Sequence, residues 1–209
     1  MAVRLTRVER KDRTRNEIVR AARRVFLARG FHAASLDEIA EEAGYTKGAV
    51  YSNFAGKDDL FLAVLAEHYA ERVEVYTSLM LGRQDVEATY RAVAGVMLEA
   101  YEREPAWWPL VSDFSTHAAR DPELRERLRV AREGFLDSLA GTIEALCRQH
   151  DMSFALPARE VARGTGALMR GMAVEWAIDP APADARMFEE MLAAYLRGLA
   201  VPPPERSTP

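Results

Sequence analysis

The sequence predicts an all-α protein. Three observations carry that expectation. Apolar residues recur every three or four positions through nearly the whole chain, the period of one helix face. Helix start and stop signals punctuate them, with Ser35, Thr46 and Asp121-Pro122 at starts and Gly30, Gly44 and Gly82 at ends. No apolar–polar alternation runs long enough to build a sheet, and there is no internal repeat.

Each element follows in order. From Thr14 to Arg29 the apolar positions are Ile18, Ala22, Val25 and Phe26, with arginines between them, and Gly30 ends the helix. Ser35-Leu36-Asp37-Glu38 is a capping box, in which the Ser hydroxyl caps one backbone N–H and the Glu reaches back to another. It opens a helix from Leu36 to Ala43 that stops at Gly44. Thr46 caps a second short helix, Lys47 to Phe54, which ends before Gly56. A long helix runs from Lys57 to Leu81. Residues 72–77 alternate like a strand, but the helical spacing of Leu60, Val64, Ala70 and Val73 keeps them in it. Helices follow from Asp85 to Arg103 and from Asp121-Pro122 onward, with a segment at 107–119 between them. The Asp121-Pro122 helix has its core face on Leu124, Leu128, Ala131, Phe135, Leu139, Ile143 and Leu146. The last two helices run from near Pro157 to before Pro180, and from about Ala183 to Ala200. Residues 1–13 read as a basic flexible arm and 202–209 as a disordered tail.

Charge is uneven along the chain. Residues 1–30 hold ten Lys and Arg against three acids, a balance of +7. The first sixty residues sum to +3, so the other 149 carry −7 of the total −4. A basic head on an acidic body implies a polyanionic partner for the head alone. The arginines at 4, 7, 10 and 13 are candidates for insertion into a nucleic-acid groove. The longest stretch free of charge is nine residues, Gly48 to Gly56, well short of a membrane span. The N-terminus has no apolar segment of a signal peptide, and the single cysteine, Cys147, cannot form an internal disulfide. The expected compartment is the cytoplasm.

Two short helices joined by Ala43-Gly44-Tyr45-Thr46, packed on a longer basic helix, describe a helix-turn-helix. Ile39, Ala40 and Val50 must bury together where the helices cross, and the small Ala40 allows close approach. In the second helix Val50 and Phe54 point inward. Lys47, Gly48, Tyr51, Ser52 and Asn53 are left outward, able to hydrogen-bond bases or phosphates in a major groove.

Residues 14–61 resemble the DNA-binding domain of the TetR family of bacterial transcriptional regulators. The resemblance rests on Ile18, Ala21-Ala22, Phe26, Gly30-Phe31, Ser35, Ile39-Ala40, Ala43-Gly44, Lys47-Gly48, Val50-Tyr51, Asn53-Phe54 and Lys57-Asp58-Asp59-Leu60. It implies a homodimer on a near-palindromic operator. It also implies phosphate contacts by Ser35 and Lys57, and recognition-helix contacts from Thr46, Lys47, Gly48, Tyr51, Ser52 and Asn53. After residue 62 the resemblance is one of pattern. Phe114, Arg120-Asp121-Pro122-Glu123-Leu124-Arg125 and the stretch Gly164 to Trp176 look like one common C-terminal domain of the family, an effector-binding and dimerising bundle. The expected organisation is a 1–13 arm, a 14–56 three-helix DNA-binding domain, a 57–201 helical effector and dimerisation domain, and a 202–209 tail.

The residues of the body support both roles. One stripe of the 158–178 helix is small: Gly164, Ala167, Gly171, then Val174 and Ile178. With Met191 and Tyr195 of the last helix it suggests a four-helix seam between two chains. A second set is bulky: Met97, Tyr101, Trp107, Trp108, Phe114, Met169, Met172 and Trp176. Aromatic and Met-rich linings suit a pocket for a small, mostly apolar effector, although each residue alone fits ordinary core. Sixteen bases against 23 acids after residue 60 make an anionic ligand depend on a local exception.

Enzyme chemistry finds no footing. There is no Gly-rich phosphate loop, no H-E-x-x-H and no G-x-S-x-G. Asp113 and His117 lie at i, i+4, a pair expected to share a surface hydrogen bond rather than a metal. No cofactor and no membrane partner is expected. The sequence therefore points to a ligand-responsive dimeric repressor. A constitutive DNA-binding regulator is the alternative, and an all-α enzyme with an incidental helix-turn-helix is a distant third.

Overall fold

A computed structural model of the protein describes residues 6–179 and 185–201. Among them are nine helices and one pair of two-residue strands. The helices are α1 (Arg7–Ala33), α2 (Leu36–Ala43), α3 (Lys47–Tyr51), α4 (Lys57–Leu81), α5 (Val86–Arg103), α6 (Trp107–Ala118), α7 (Pro122–Gln149), α8 (Ala158–Ile178) and α9 (Ala185–Leu199). No described helix is long and apolar enough to cross a membrane. The all-α expectation holds. The tail at 202–209, the first five residues of the arm, and the expected start of the last helix at Ala183 lie outside the described residues.

The chain divides into two compact units. The first takes in the described residues to His68 together with Leu110–Leu128. The second takes in Tyr69–Pro109 and the described residues from Arg129 on. The boundary therefore falls within α4, α6 and α7, and the unit around the helix-turn-helix is larger than 14–56.

In the first unit, α1 starts seven residues earlier than its apolar pattern. Composition marks residues 1–13 as a flexible arm, but the chain is helical from Arg7. The cause is a second capping box. The Thr6 side chain accepts from the Glu9 N–H (3.2 Å), and the Glu9 carboxylate accepts from the Thr6 N–H (2.6 Å). Arg7, Arg10 and Arg13 are thus presented on a helix. Gly30 breaks α1 at φ 76°, and Phe31 turns inward behind it. The core is Ile18, Ala22 and Phe26 of α1, Ile39 and Ala40 of α2, Val50, Phe54, and Leu60, Phe61 and Val64 of α4. Phe114 joins it: its ring centroid lies 4.2 Å from Phe61 and 5.0 Å from Phe31. Each buried Val, Leu, Ile or Phe side chain of this core contributes ~1.5–3 kcal/mol.

In the second unit α5 packs along α9, and Arg197 of α9 donates to Glu87 of α5 at 2.5 Å. Their apolar faces join those of α7 and α8 in one core, with Met97, Leu136, Leu146, Val161, Met169, Phe188 and Leu192 at its centre. Thr77 and Thr142 share a hydrogen bond of 2.8 Å between α4 and α7. Arg159 of α8 reaches Asp137 of α7 at 2.7 Å. The strands β1 (Ser153–Phe154) and β2 (Ala200–Val201) pair antiparallel, with Ser153 opposite Val201. They tie the segment before α8 to the end of α9.

Candidate nucleic-acid interface

The candidate interface is built from the starts of α2, α3 and α4. Ser35 caps α2 by accepting from the Glu38 N–H at 3.2 Å, while Glu38 accepts from the Ser35 N–H at 3.0 Å. Gly44 ends α2 at φ 70° and ψ 26°, a left-handed conformation that costs other residues ~1–2 kcal/mol. Thr46 then caps α3 by accepting from the Ala49 N–H at 3.2 Å. These local rules place α3 across α2, with Val50 and Phe54 fully inside.

Lys47, Gly48, Tyr51 and Ser52 are exposed together on the outer side of α3, and Tyr51 is 52% exposed. Asn53 is only half exposed. Expected outward, it folds back: its Nδ2 donates to Ala49 O at 2.8 Å. Helix α3 stops at Tyr51 rather than at Phe54 because this end is clamped from α1. Arg15 donates to Asn53 O at 2.8 Å, and its guanidinium lies 4.3 Å above the Phe54 ring. The turn is held similarly, since the Tyr45 hydroxyl donates to Glu17, which also accepts from Arg13 at 2.9 Å. Those two hydrogen bonds, Tyr45 first, hold the Glu17 carboxyl below the usual carboxylate range.

Two lysines expected at DNA have partners within the chain. Lys47 Nζ lies 2.8 Å from Asp37, and both side chains are well exposed. Such a pair is worth little and can open when a phosphate or base arrives. Lys57 is held more firmly. Its ammonium donates to His32 O and Ala34 O, both at 3.0 Å, and sits 4.8 Å over the Phe31 ring. It satisfies carbonyls at the end of α1, a structural task that its position in a motif does not disclose.

The body residues separate into groups. Met97, Tyr101, Trp108, Met169, Met172 and Trp176 share the core of the second unit, with Tyr101 and Trp176 rings 4.9 Å apart. Trp107 is buried. Phe114 does not join the bulky group: it belongs to the first unit, against Phe31 and Phe61. Helical periodicity marks a residue as buried but not which core receives it. On α8, Ala167, Gly171, Val174 and Ile178 are exposed, as is Met191 on α9. Ile178 is 76% exposed. Gly164 and Tyr195 meet directly, and a Cβ at 164 would overlap the Tyr195 hydroxyl. His117 is not paired with Asp113: its Nε2 lies 3.2 Å from Asp58 Oδ1.

Known proteins share both halves of this arrangement. Residues 18–64 match the family described as bacterial regulatory proteins, tetR family. Residues 86–201 match the BetI-type transcriptional repressor C-terminal domain. The HTH-type transcriptional activator FasR of Mycolicibacterium smegmatis is 29% identical over 174 residues, 83% of this chain and 77% of its own. The HTH-type nicotine-responsive transcriptional repressor HdnoR of Paenarthrobacter nicotinovorans is 28% identical over 200 residues, 91% of this chain and 97% of its own. Among solved structures, the transcriptional regulator FadR of Bacillus subtilis in complex with stearoyl-CoA shares the fold at a TM-score of 0.66 and 17% identity, covering 87% of this chain and 96% of its own. With one matched segment spanning the helix-turn-helix and the other more than half of the chain, the chain belongs to the TetR family of bacterial transcriptional regulators.

Proposed function

We propose that the chain is a ligand-responsive repressor that binds a near-palindromic operator as a homodimer and is released by a small, mostly apolar effector. The observation that carries it is the outer side of α3. Lys47, Gly48, Tyr51 and Ser52 are exposed there together, on a helix anchored by buried Val50 and Phe54. That is the arrangement a recognition helix needs in a major groove. Residues 14–56, Ser35 among them, supply this contact, with the start of α4 beside them.

The exposed apolar face of α8 and α9 supports dimerisation. Val174, Ile178 and Met191 leave a cost in water that a second copy removes, and Gly171 lets the two α8 helices approach. The body from 57 to 201 would hold the effector, with Tyr101, Trp108, Met172 and Trp176 at its apolar lining. The repressor sense is supported by the BetI-type repressor match and by the nicotine-responsive repressor HdnoR. Release requires that the effector prefer a conformation whose recognition helices no longer fit the operator spacing. By linkage the operator weakens the effector by the same factor, typically ~1–3 kcal/mol. The test is a titration of a candidate effector followed by tryptophan fluorescence, with and without operator. Unequal affinities support the reading; equal affinities remove that molecule as effector.

A further inference from the structure

The second unit carries three arginines that no carboxylate neutralises. Arg72 on α4, Arg132 on α7 and Arg170 on α8 are all half-buried. Among the described residues, none of them has an acid within salt-bridge distance. The acids beside Arg132 are already taken: Glu133 pairs with Arg129 and Arg159, and Asp137 with Arg159. By contrast, half-buried Arg159 is matched with Asp137 at 2.7 Å, as is Arg127 with Asp59 at 2.6 Å.

Arg72 lies one turn from Tyr69 on α4, and Arg132 lies one turn from Phe135 on α7. The Tyr69 ring stacks on Phe135 at 4.4 Å and 11°. Burial raises the pKa of its phenol, and the charges of Arg132 and Arg170 pull the other way, so both guanidiniums act at this ring. Burial, and after it the charge of Arg132, disfavours the charged form of Arg170. One turn along α4, Arg72 acts on Tyr76, whose hydroxyl burial pushes up to about 12. The Arg72 Nε is buried with no hydrogen-bond partner. Like charges held together out of water cost free energy unless a counter-charge joins them. A guanidinium fork matches the two oxygens of a carboxylate or phosphate.

We propose that Arg132 and Arg170, with Tyr69 between them and Arg72 on the next turn, form an oxyanion site that holds the carboxylate or phosphate head of an amphipathic effector. The inference rests on the ligand-responsive reading and narrows its effector to an anion with an apolar tail. It is also the local exception that the acidic balance of the body would require.

The test uses the full chain, its Arg132→Gln and Arg170→Gln variants, and Arg83→Gln as an exposed control. Thermal unfolding is followed in inorganic phosphate and in chloride at matched ionic strength. Phosphate should raise the native Tm by about 3 °C, and each of the two variants should lose that rise while the control keeps it. In chloride the two variants should be at least as stable as the native chain, because each removes a like-charge repulsion. A purely structural arginine would instead lower Tm on removal. Calorimetric titration with decanoate, decyl phosphate and decanol then separates the sources. The native chain should bind one of the anions about tenfold more tightly than decanol, and the variants should lose that preference. Which anion wins names the head group. An equal phosphate response in native and variant chains, or decanol bound as tightly as both anions, would overturn the site. Anion binding that the variants abolish but that leaves operator affinity unchanged would keep the site and reject the ligand-responsive reading.

Discussion

Truncating Phe114 to alanine tests where this ring belongs. Phe114 is 0% exposed, and its ring contacts Phe61 at 4.2 Å and Phe31 at 5.0 Å. The substitution removes a buried aromatic ring and leaves a cavity among side chains that can close only in part, a loss of ~3–5 kcal/mol. Two ring contacts, each worth ~0.5–1.5 kcal/mol beyond area, place the expectation in the middle of that range, at ~4 kcal/mol. With a urea slope of ~2 kcal/mol per molar, the midpoint should fall by ~2 M. The assay is urea unfolding by circular dichroism at one fixed protein concentration, because the midpoint of any self-associating chain depends on concentration. A midpoint shift below about 0.5 M would refute the assignment of Phe114 to this core. It would return the residue to the candidate ligand lining.

Four further outcomes follow. Lys57→Ala should lower stability by ~1–2 kcal/mol in denaturant titration, because two carbonyls at the end of α1 lose their donor and the Phe31 ring its cation; unchanged stability would free Lys57 for the phosphate role. Lys47→Ala should change preference among operator variants by ~1–3 kcal/mol at the base it reads, and uniform weakening across sequences would make it a backbone contact. Gly171→Leu should leave the helical content of the chain intact, since nothing lies within 4 Å of a Cβ there, yet yield a monomer by sedimentation; a dimer of normal affinity would place the seam elsewhere. Stability should fall as pH rises from about 10 to 12: burial raises the pKa of Tyr76 and Tyr90 to about 12, so the folded state keeps protons that the unfolded state releases above pH ~10. A flat stability profile across that window would contradict their burial.

The features legible in the sequence are the ones decided by neighbouring residues. The capping box at Ser35 and the glycine at 44 mark both ends of α2, because a cap needs only residues three or four positions apart. The same logic at Thr6 and Glu9 starts α1, but the arginine-rich composition around it suggests an arm instead. Features that depend on distant residues stayed hidden. The end of α3 is set by Arg15, 38 positions from Asn53. The partner of Lys57 lies 25 positions back, at His32. Phe114 reads from the sequence as one of the bulky candidate ligand contacts, and only the fold places it against Phe31 and Phe61. The arginines at 72, 132 and 170 come from three helices and have no motif to join them. The apolar face of α8 is readable as core or seam from periodicity alone, and only the fold shows that Val174 and Ile178 lie outside the core of the chain.

The exposed outer side of α3 implies sequence-specific DNA binding, which a titration on operator DNA tests. A genomic fragment recovered by binding selection with the full chain is labelled, and its dissociation constant is measured by fluorescence anisotropy against a shuffled fragment of the same composition and at the same salt. A near-palindromic site should be bound at least ~10³-fold more tightly than the shuffled DNA. Equal affinity for the two fragments would contradict it.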